Sequence, residues 1–255
     1  MNAINRTLYI PLYGKACVSR MGIILHDPTA ERIWQKEGFP LRGKARSKWL
    51  AYYMSMRAAV IDEWVRAQMG EEDIALHLGC GLDARCERVK KNGLWYDVDL
   101  PDVMEIRKQY FKQTEQYHMI GADLLSEGWL EALPHVRKAV VVMEGVSMYL
   151  PEEAISRLFC RLAERFERVE LIMDAYTQRA VKLSRYGNPI RTVGASAMTG
   201  IDDPHQLKGL VFDRRLSLTP EEKICELKGM EQSIFRELYA GGFAEGLYRL
   251  YTFHS

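Results

Sequence analysis

The chain has 255 residues, 47% of them hydrophobic, with 35 Lys+Arg against 34 Asp+Glu and a formal net charge of +1. That length and apolar content suit one large core, and the near-neutral balance excludes a bulk electrostatic grip on nucleic acid. Five scattered cysteines (Cys17, Cys80, Cys86, Cys160 and Cys225) form no C-x-x-C pair, which argues against a disulfide framework or a zinc site.

Residues 1 to 70 hold 11 Lys+Arg against 5 Asp+Glu, with Arg42, Lys44, Arg46 and Lys48 close together. Such a run ordinarily marks a solvated face. From Ser47 to Met69, Trp49, Leu50, Tyr53, Met56, Val60, Ile61 and Trp64 recur at helical spacing, and Gly70 is placed to stop that helix. Short apolar runs then alternate with helical segments. Strands are predicted at Ile74 to Leu78, Leu94 to Val98, His118 to Gly121, Ala139 to Met143 and Val169 to Met173. Helices are predicted over Asp83 to Lys91, from Pro101, and from Pro151, where the prolines and early acids suit helix starts.

This alternation predicts an α/β fold, a doubly wound, mostly parallel, Rossmann-like sheet covered on both faces. Residues 176 to 220 contain Tyr186-Gly187-Asn188-Pro189 and Gly200-Ile201-Asp202-Asp203-Pro204 with little clear period, and read as an insertion or lid. Leu247 to His254 alternates as a closing, antiparallel strand would. The expected organisation is one domain over 1–255: an N-terminal helical cap (1–70), a cofactor-binding core (71–175), the insertion (176–220), and a closing helix and strands (221–255). No apolar run is long enough to span a bilayer, and the first seven residues lack a signal peptide's order, so a reducing cytoplasm is the expected compartment.

Ligands of open α/β sheets collect beyond the carboxyl ends of the strands. Four such ends carry suggestive residues: Gly79 to Gly81, Asp99, Asp123 and Glu144. The glycine turn lets backbone approach a ligand, and Asp99, 18 residues beyond Gly81, stands where ribose hydroxyls need an acceptor. An adenosine-containing cofactor follows. Because Gly79, Gly81 and Ala84 also satisfy G-x-G-x-x-G/A, NAD stays open at this point. A pyrophosphate gains nothing from successive acids, whereas S-adenosylmethionine (SAM) has no phosphate and carries an ammonium and a sulfonium that carboxylates can pair. The acids favour SAM.

Four segments, Pro11-Leu12-Tyr13-Gly14-Lys15-Ala16, Leu78-Gly79-Cys80-Gly81-Leu82-Asp83, Val98-Asp99-Leu100-Pro101 and Val142-Met143-Glu144-Gly145-Val146-Ser147-Met148-Tyr149-Leu150, together resemble the leucine carboxyl methyltransferases and their bacterial polyketide-type O-methyltransferase relatives. A weaker match is Gly200-Ile201-Asp202-Asp203-Pro204, and the resemblance spans roughly residues 8 to 215. It implies a class I SAM-dependent methyltransferase. By position it implies that Asp99 accepts from the ribose hydroxyls, that Gly79 and Gly81 lie against the methionine part, and that Asp123 with Leu124 meets the adenine. It further implies that Glu144 lies near the cofactor ammonium and that Lys15 and Arg57 hold its carboxylate. Relatives often have arginine where this chain has Lys15, which weakens the case for a bidentate clamp there. Tyr149 is a candidate for orienting the acceptor.

Each residue also has a plainer reading. Asp99 could cap the helix that starts at Pro101, Asp123 could cap a short helix from Ser126, and Lys15 and Arg57 could be surface charges. His77, among alternating apolar neighbours, reads as a satisfied core histidine, and Tyr149 could simply pack. Methyl transfer from a sulfonium is an in-line displacement for which a carboxylate acceptor needs no general base. The expected activity is therefore O-methylation of a small-molecule carboxylate or hydroxyl, driven mainly by proximity. Three other readings remain: an NAD-dependent oxidoreductase, a nucleic-acid methyltransferase using Arg42 to Lys48, and a non-catalytic SAM-binding protein. Neither a nucleic acid nor a membrane is the expected partner, and no metal is expected.

Overall fold

A computed structural model describes residues 8–38, 41, 43–184 and 198–255, with the Lys44 side chain outside the described set. The sheet has seven strands: β1 (Ile74–Leu78), β2 (Leu94–Asp99), β3 (Tyr117–Gly121), β4 (Lys138–Met143), β5 (Arg168–Tyr176), β6 (Val211–Leu216) and β7 (Tyr248–His254). Their order is β3-β2-β1-β4-β5-β7-β6. β1 to β5 pair in parallel, and β7 runs antiparallel to both β5 and β6. All five residues of β1 are buried, as are Ala139 to Met143 of β4. Interior parallel strands are covered on both faces, which is why these segments read as apolar runs, broken only by His77.

The helices follow from capping and from apolar stripes. In chain order the first six are α1 (Tyr9–Met21), α2 (Pro28–Glu37), α3 (Lys48–Gln68), α4 (Arg85–Val89), α5 (Pro101–Arg107) and α6 (Glu152–Arg165). α2 starts where the Asp27 carboxylate accepts from Ala30 N at 2.7 Å, with Pro28 in the first turn. α3 lays Ile61, Trp64 and Val65 on one face of the sheet against Ala75, Val140, Val142, Ile172 and Leu250. α6 lays Ile155, Leu158, Phe159 and Leu162 on the other, against Leu76, Val141, Leu171 and Phe253. Each such large side chain contributes about 1.5–3 kcal/mol by leaving water. Tyr9, Ile10, Leu12 and Ala16 of α1 pack with Ala30 and Ile33 of α2. At the crossing with α3 only glycine fits comfortably, since a Cβ on Gly14 would lie 3.3 Å from Ala51 Cα. That close approach carries the neighbouring Lys15 to the mouth of the sheet.

Strands and helices alternate as the sequence predicts, β1 with the expected bounds and the other ends within three residues of those expected. β6 is the exception, lying inside the stretch expected to be an insertion or lid. Val211 to Leu216 is a mostly exposed edge strand, irregular in register between Phe212 and Arg214. An edge with one solvated face and a Asp213-Arg214-Arg215 run has no apolar alternation to read, and those charges discourage further pairing. Tyr186-Gly187-Asn188-Pro189 lies outside the described residues. The strand order reverses between β1 and β4, so their carboxyl ends open a crevice.

Candidate active site

At the end of β1 the backbone turns through two left-handed glycines, Gly79 (φ 68°) and Gly81 (φ 53°). A Cβ on Gly79 would lie 2.2 Å from Val146 Cγ2, so internal packing demands glycine there before any ligand is considered. From the end of β2, Asp99 reaches back to this turn: Oδ2 accepts from Gly81 N and Oδ1 from Leu100 N, both at 2.7 Å. α5 starts at Pro101 without a side-chain cap, which corrects the plainer reading of Asp99 as a helix cap. Burial pushes the Asp99 carboxyl above its ordinary range, and its two backbone hydrogen bonds only partly offset this. Asp123 is exposed and accepts from Leu125 N at 2.9 Å, closing a turn; no helix follows at Ser126.

Arg107 locks the glycine turn from behind. It donates to the carbonyls of Gly81 (2.9 Å) and Asp83 (2.8 Å), to the Tyr117 hydroxyl (3.1 Å), and to the Asp97 carboxylate. Burial opposes ionisation of Asp97, yet Arg107 and His77 hold its carboxyl down at about 2. His77, 1% exposed, lies with Nδ1 3.2 Å from Asp97 Oδ1 and Nε2 3.3 Å from Arg85 Nη1. The core-histidine reading holds for its burial. Its neighbours, however, are charges.

The floor of the crevice is a chain of buried ion pairs. Lys15 Nζ is 2.9 Å from Asp83 Oδ1, which also takes Arg88 at 2.6 Å. Arg85 donates to Asp62 at 2.7 Å and to Glu144. Arg57 grips Glu144 Oε1 through Nε (3.1 Å) and Nη2 (2.6 Å), Asp174 Oδ2 through Nη1 (2.7 Å), and the Tyr248 hydroxyl. Both oxygens of Glu144 are thus taken. Burial works against the ionised form of Glu144 and Asp83, but the surrounding guanidiniums and Lys15 hold both carboxyls well below their usual range. Lys15 and Arg57, each 3% exposed, are not surface charges.

Of these groups Lys15, Arg57, Asp83, Glu144 and Tyr248 line one cavity of about 350 Å³, and Asp62, Arg85, Arg88 and Asp174 are not among its lining residues. All the residues singled out from sequence meet there: Lys15, Arg57, Gly79, Gly81, Asp99, Asp123, Leu124, Glu144 and Tyr149. Among the described charged side chains on its wall are four carboxylates (Asp83, Asp99, Asp123 and Glu144) and two basic groups, Lys15 and Arg57. Arg85 and Arg88 behind the wall pair Glu144 and Asp83, which leaves Asp99 and Asp123 as acceptors for a ligand, and the left-handed Gly79 and Gly81, on either side of Cys80, leave backbone open to it. An adenosyl sulfonium with an ammonium and one carboxylate fits, and a pyrophosphate does not. Tyr176, Tyr248 and Met54 wall the same cavity. No group of three or more His, Cys, Asp or Glu placed to hold a metal occurs among the described residues.

Sequence reasoning gave no role to Asp83, Arg85, Arg107, Asp174 or Tyr248. Asp174 carried a signal already used elsewhere: it follows the apolar run of β5 as Glu144 follows that of β4. Arg107 sits four residues after the buried Val103, on the inner side of α5. The basic run proposed as a nucleic-acid footprint falls partly outside the described residues, at Arg42 and the Lys44 side chain. Lys48 is paired with Glu231 at 2.6 Å. No described helix is long and apolar enough to cross a membrane.

Residues 13–163 match the leucine carboxyl methyltransferase family. The chain is 29% identical over 265 residues to the tetracenomycin polyketide synthesis O-methyltransferase TcmP of Streptomyces glaucescens, covering 99% of this chain and 98% of that protein. It is 27% identical over 196 residues to the S-adenosyl-L-methionine-dependent methyltransferase dpfgK of Gibberella zeae, covering 68% of this chain and 65% of the other. Among solved structures, magnesium protoporphyrin IX methyltransferase (ChlM) from Synechocystis PCC 6803 with bound SAH aligns with a TM-score of 0.52 at 12% identity, over 88% of this chain and 92% of that one. That likeness concerns the fold, which is the class I methyltransferase fold. With more than half of its length matched, the chain belongs to the leucine carboxyl methyltransferase family.

Proposed function

We propose that this SAM-dependent methyltransferase transfers its methyl group to an oxygen, carboxylate or hydroxyl, of a small-molecule acceptor. The observation that carries the cofactor reading is the meeting of the glycine turn, Asp99, Asp123, Lys15 and Arg57 on one cavity at the carboxyl ends of the parallel strands. When bound, SAM supplies an electrophilic methyl group on a sulfonium, open to in-line attack by an acceptor oxygen. Asp99, fixed by Gly81 N and Leu100 N, keeps lone pairs for the ribose hydroxyls. Asp123 and Leu124 border the adenine end, and Arg57 and Lys15 hold the carboxylate. With Glu144 saturated by two guanidiniums, its effect on the cofactor ammonium is the field of its charge together with its orientation of Arg57 and Arg85.

The oxygen assignment is supported by the relative in Streptomyces glaucescens, which is named an O-methyltransferase. His77 lines the cavity, but Arg85 occupies Nε2 and Asp97 faces Nδ1, so it is not available as a base. That arrangement favours an acceptor ionised before it enters, as a carboxylate is near neutral pH. Incubation with SAM carrying a deuterated methyl group and a panel of aromatic and aliphatic acids and phenols tests this. The expected product carries the label on oxygen, and mild alkali separates an ester, which is cleaved, from an ether, which survives. A label found on nitrogen or carbon as the sole product contradicts the assignment.

A further inference from the structure

We propose that Tyr248 and Asp174 form a positioning pair that sets the Arg57 guanidinium for the cofactor carboxylate, which makes the first residue of the closing strand β7 part of the cofactor site. The inference rests on the reading of Arg57 given above and deepens it.

Asp174 is fully buried and does not line the cavity. Each of its oxygens is committed: Oδ1 accepts from Gly145 N at 2.8 Å, and Oδ2 accepts from Arg57 Nη1 at 2.7 Å and from the Tyr248 hydroxyl. Tyr248 closes the triangle, accepting from Arg57 while donating to Asp174. Arg57 already has one oxygen of Glu144 as a counter-charge, and Arg85, which takes the other, is paired with Asp62 and Asp83 as well. Burying a further carboxylate is costly unless its geometry is used. What the second carboxylate adds is orientation. Glu144 fixes the Nε–Nη2 edge of the guanidinium and Asp174 with Tyr248 fixes Nη1, so the plane of a long, flexible side chain has one setting.

The ring that carries this hydroxyl is itself held. Tyr248 stacks at 6.1 Å from Tyr53 and lies 4.8 Å from Tyr176, its partner across the β5–β7 ladder. Its ring also lies 5.6 Å from Arg57 Cζ. Tyr248 and Tyr176 both border the cavity, so the aromatic wall and the guanidinium are parts of one rigid unit.

The test is calorimetric binding of S-adenosylhomocysteine and of its decarboxylated analogue, S-adenosyl-3-thiopropylamine, to the wild-type chain, Tyr248→Phe, Asp174→Asn and the double variant. Tyr248→Phe keeps the ring and removes both charge-assisted hydrogen bonds of the hydroxyl, to Arg57 and to Asp174, while the direct Arg57–Asp174 contact remains, so a loss of about tenfold in affinity for S-adenosylhomocysteine is expected. Affinity for the analogue, which has no carboxylate for Arg57 to hold, should stay within about twofold. The double variant should lose no more than about the worse single variant, since both act through the same guanidinium. Equal losses on the two ligands would mean a merely structural role, and unchanged S-adenosylhomocysteine affinity would mean no role; either overturns the proposal, as do additive losses. Should Tyr248→Phe fail to fold by its melting curve, Asp174→Asn alone decides by the same comparison. A wild-type chain that binds neither ligand sinks the cofactor reading itself, and this inference with it.

Discussion

Gly79 shows how much one residue can be asked to do. Its φ of 68° is strained for any L side chain, and its missing Cβ makes room for Val146. Gly79→Ala adds backbone strain of about 1–3 kcal/mol to an overpacking cost of similar size. The expected loss of stability in urea unfolding is therefore about 2–6 kcal/mol. Shortening the neighbour as well, in Gly79→Ala/Val146→Ala, should recover the packing part and leave the strain. A loss below about 0.5 kcal/mol in the single variant would show that the turn relaxes at little cost. At this scale the sequence made the glycines and strand-end acids legible because those residue types are unusual where they stand. The arginines were harder to read. Arg57, Arg85 and Arg107 are all buried, whereas arginine is ordinarily exposed, and nothing local to each residue announces the distant carboxylate that pairs it.

The elements with a regular apolar pattern were plain in the sequence, and the edge strand without one was not. β1 and β4 are apolar but for His77 and Lys138, α3 and α6 show clean stripes, and β7 alternates. β6 has its charges on an edge and so offered no period to read. The site depends on the legible elements: Gly79, Asp99 and Glu144 sit at or just beyond the ends of β1, β2 and β4, and Asp174 two residues before the end of β5, where parallel strands all deliver their carboxyl ends to one side. α3 crosses behind that edge, and Arg57 reaches Glu144 and Asp174 from its middle. The Arg57–Glu144 contact spans 87 residues of sequence, a pairing that no local pattern encodes.

For the whole molecule, the buried ion pairs make folding depend on acid. The Asp97 carboxyl is held at about 2, and those of Asp83 and Glu144 are held well below their usual range. For a carboxyl depressed by folding, the stabilisation is present above its unfolded value of about 4 and is lost as pH falls through its folded value. Burial raises Asp99 and Asp174, whose contributions run the opposite way just above pH 4 and partly offset the first effect. Urea midpoints should therefore change little between pH 7 and pH 5 and fall steeply between about pH 4 and pH 2. A midpoint that holds steady down to pH 2 would show that the ion pairs do not contribute as their geometry indicates.

The central claim is that acids at the mouths of successive strands cradle an adenosyl sulfonium. A crystal structure of the chain with S-adenosylhomocysteine tests it most directly. The account predicts both ribose hydroxyls on Asp99, the adenine beside Asp123 and Leu124, and the carboxylate facing Arg57 and Lys15. A ribose turned away from Asp99, or a ligand seated outside this cavity, would contradict it.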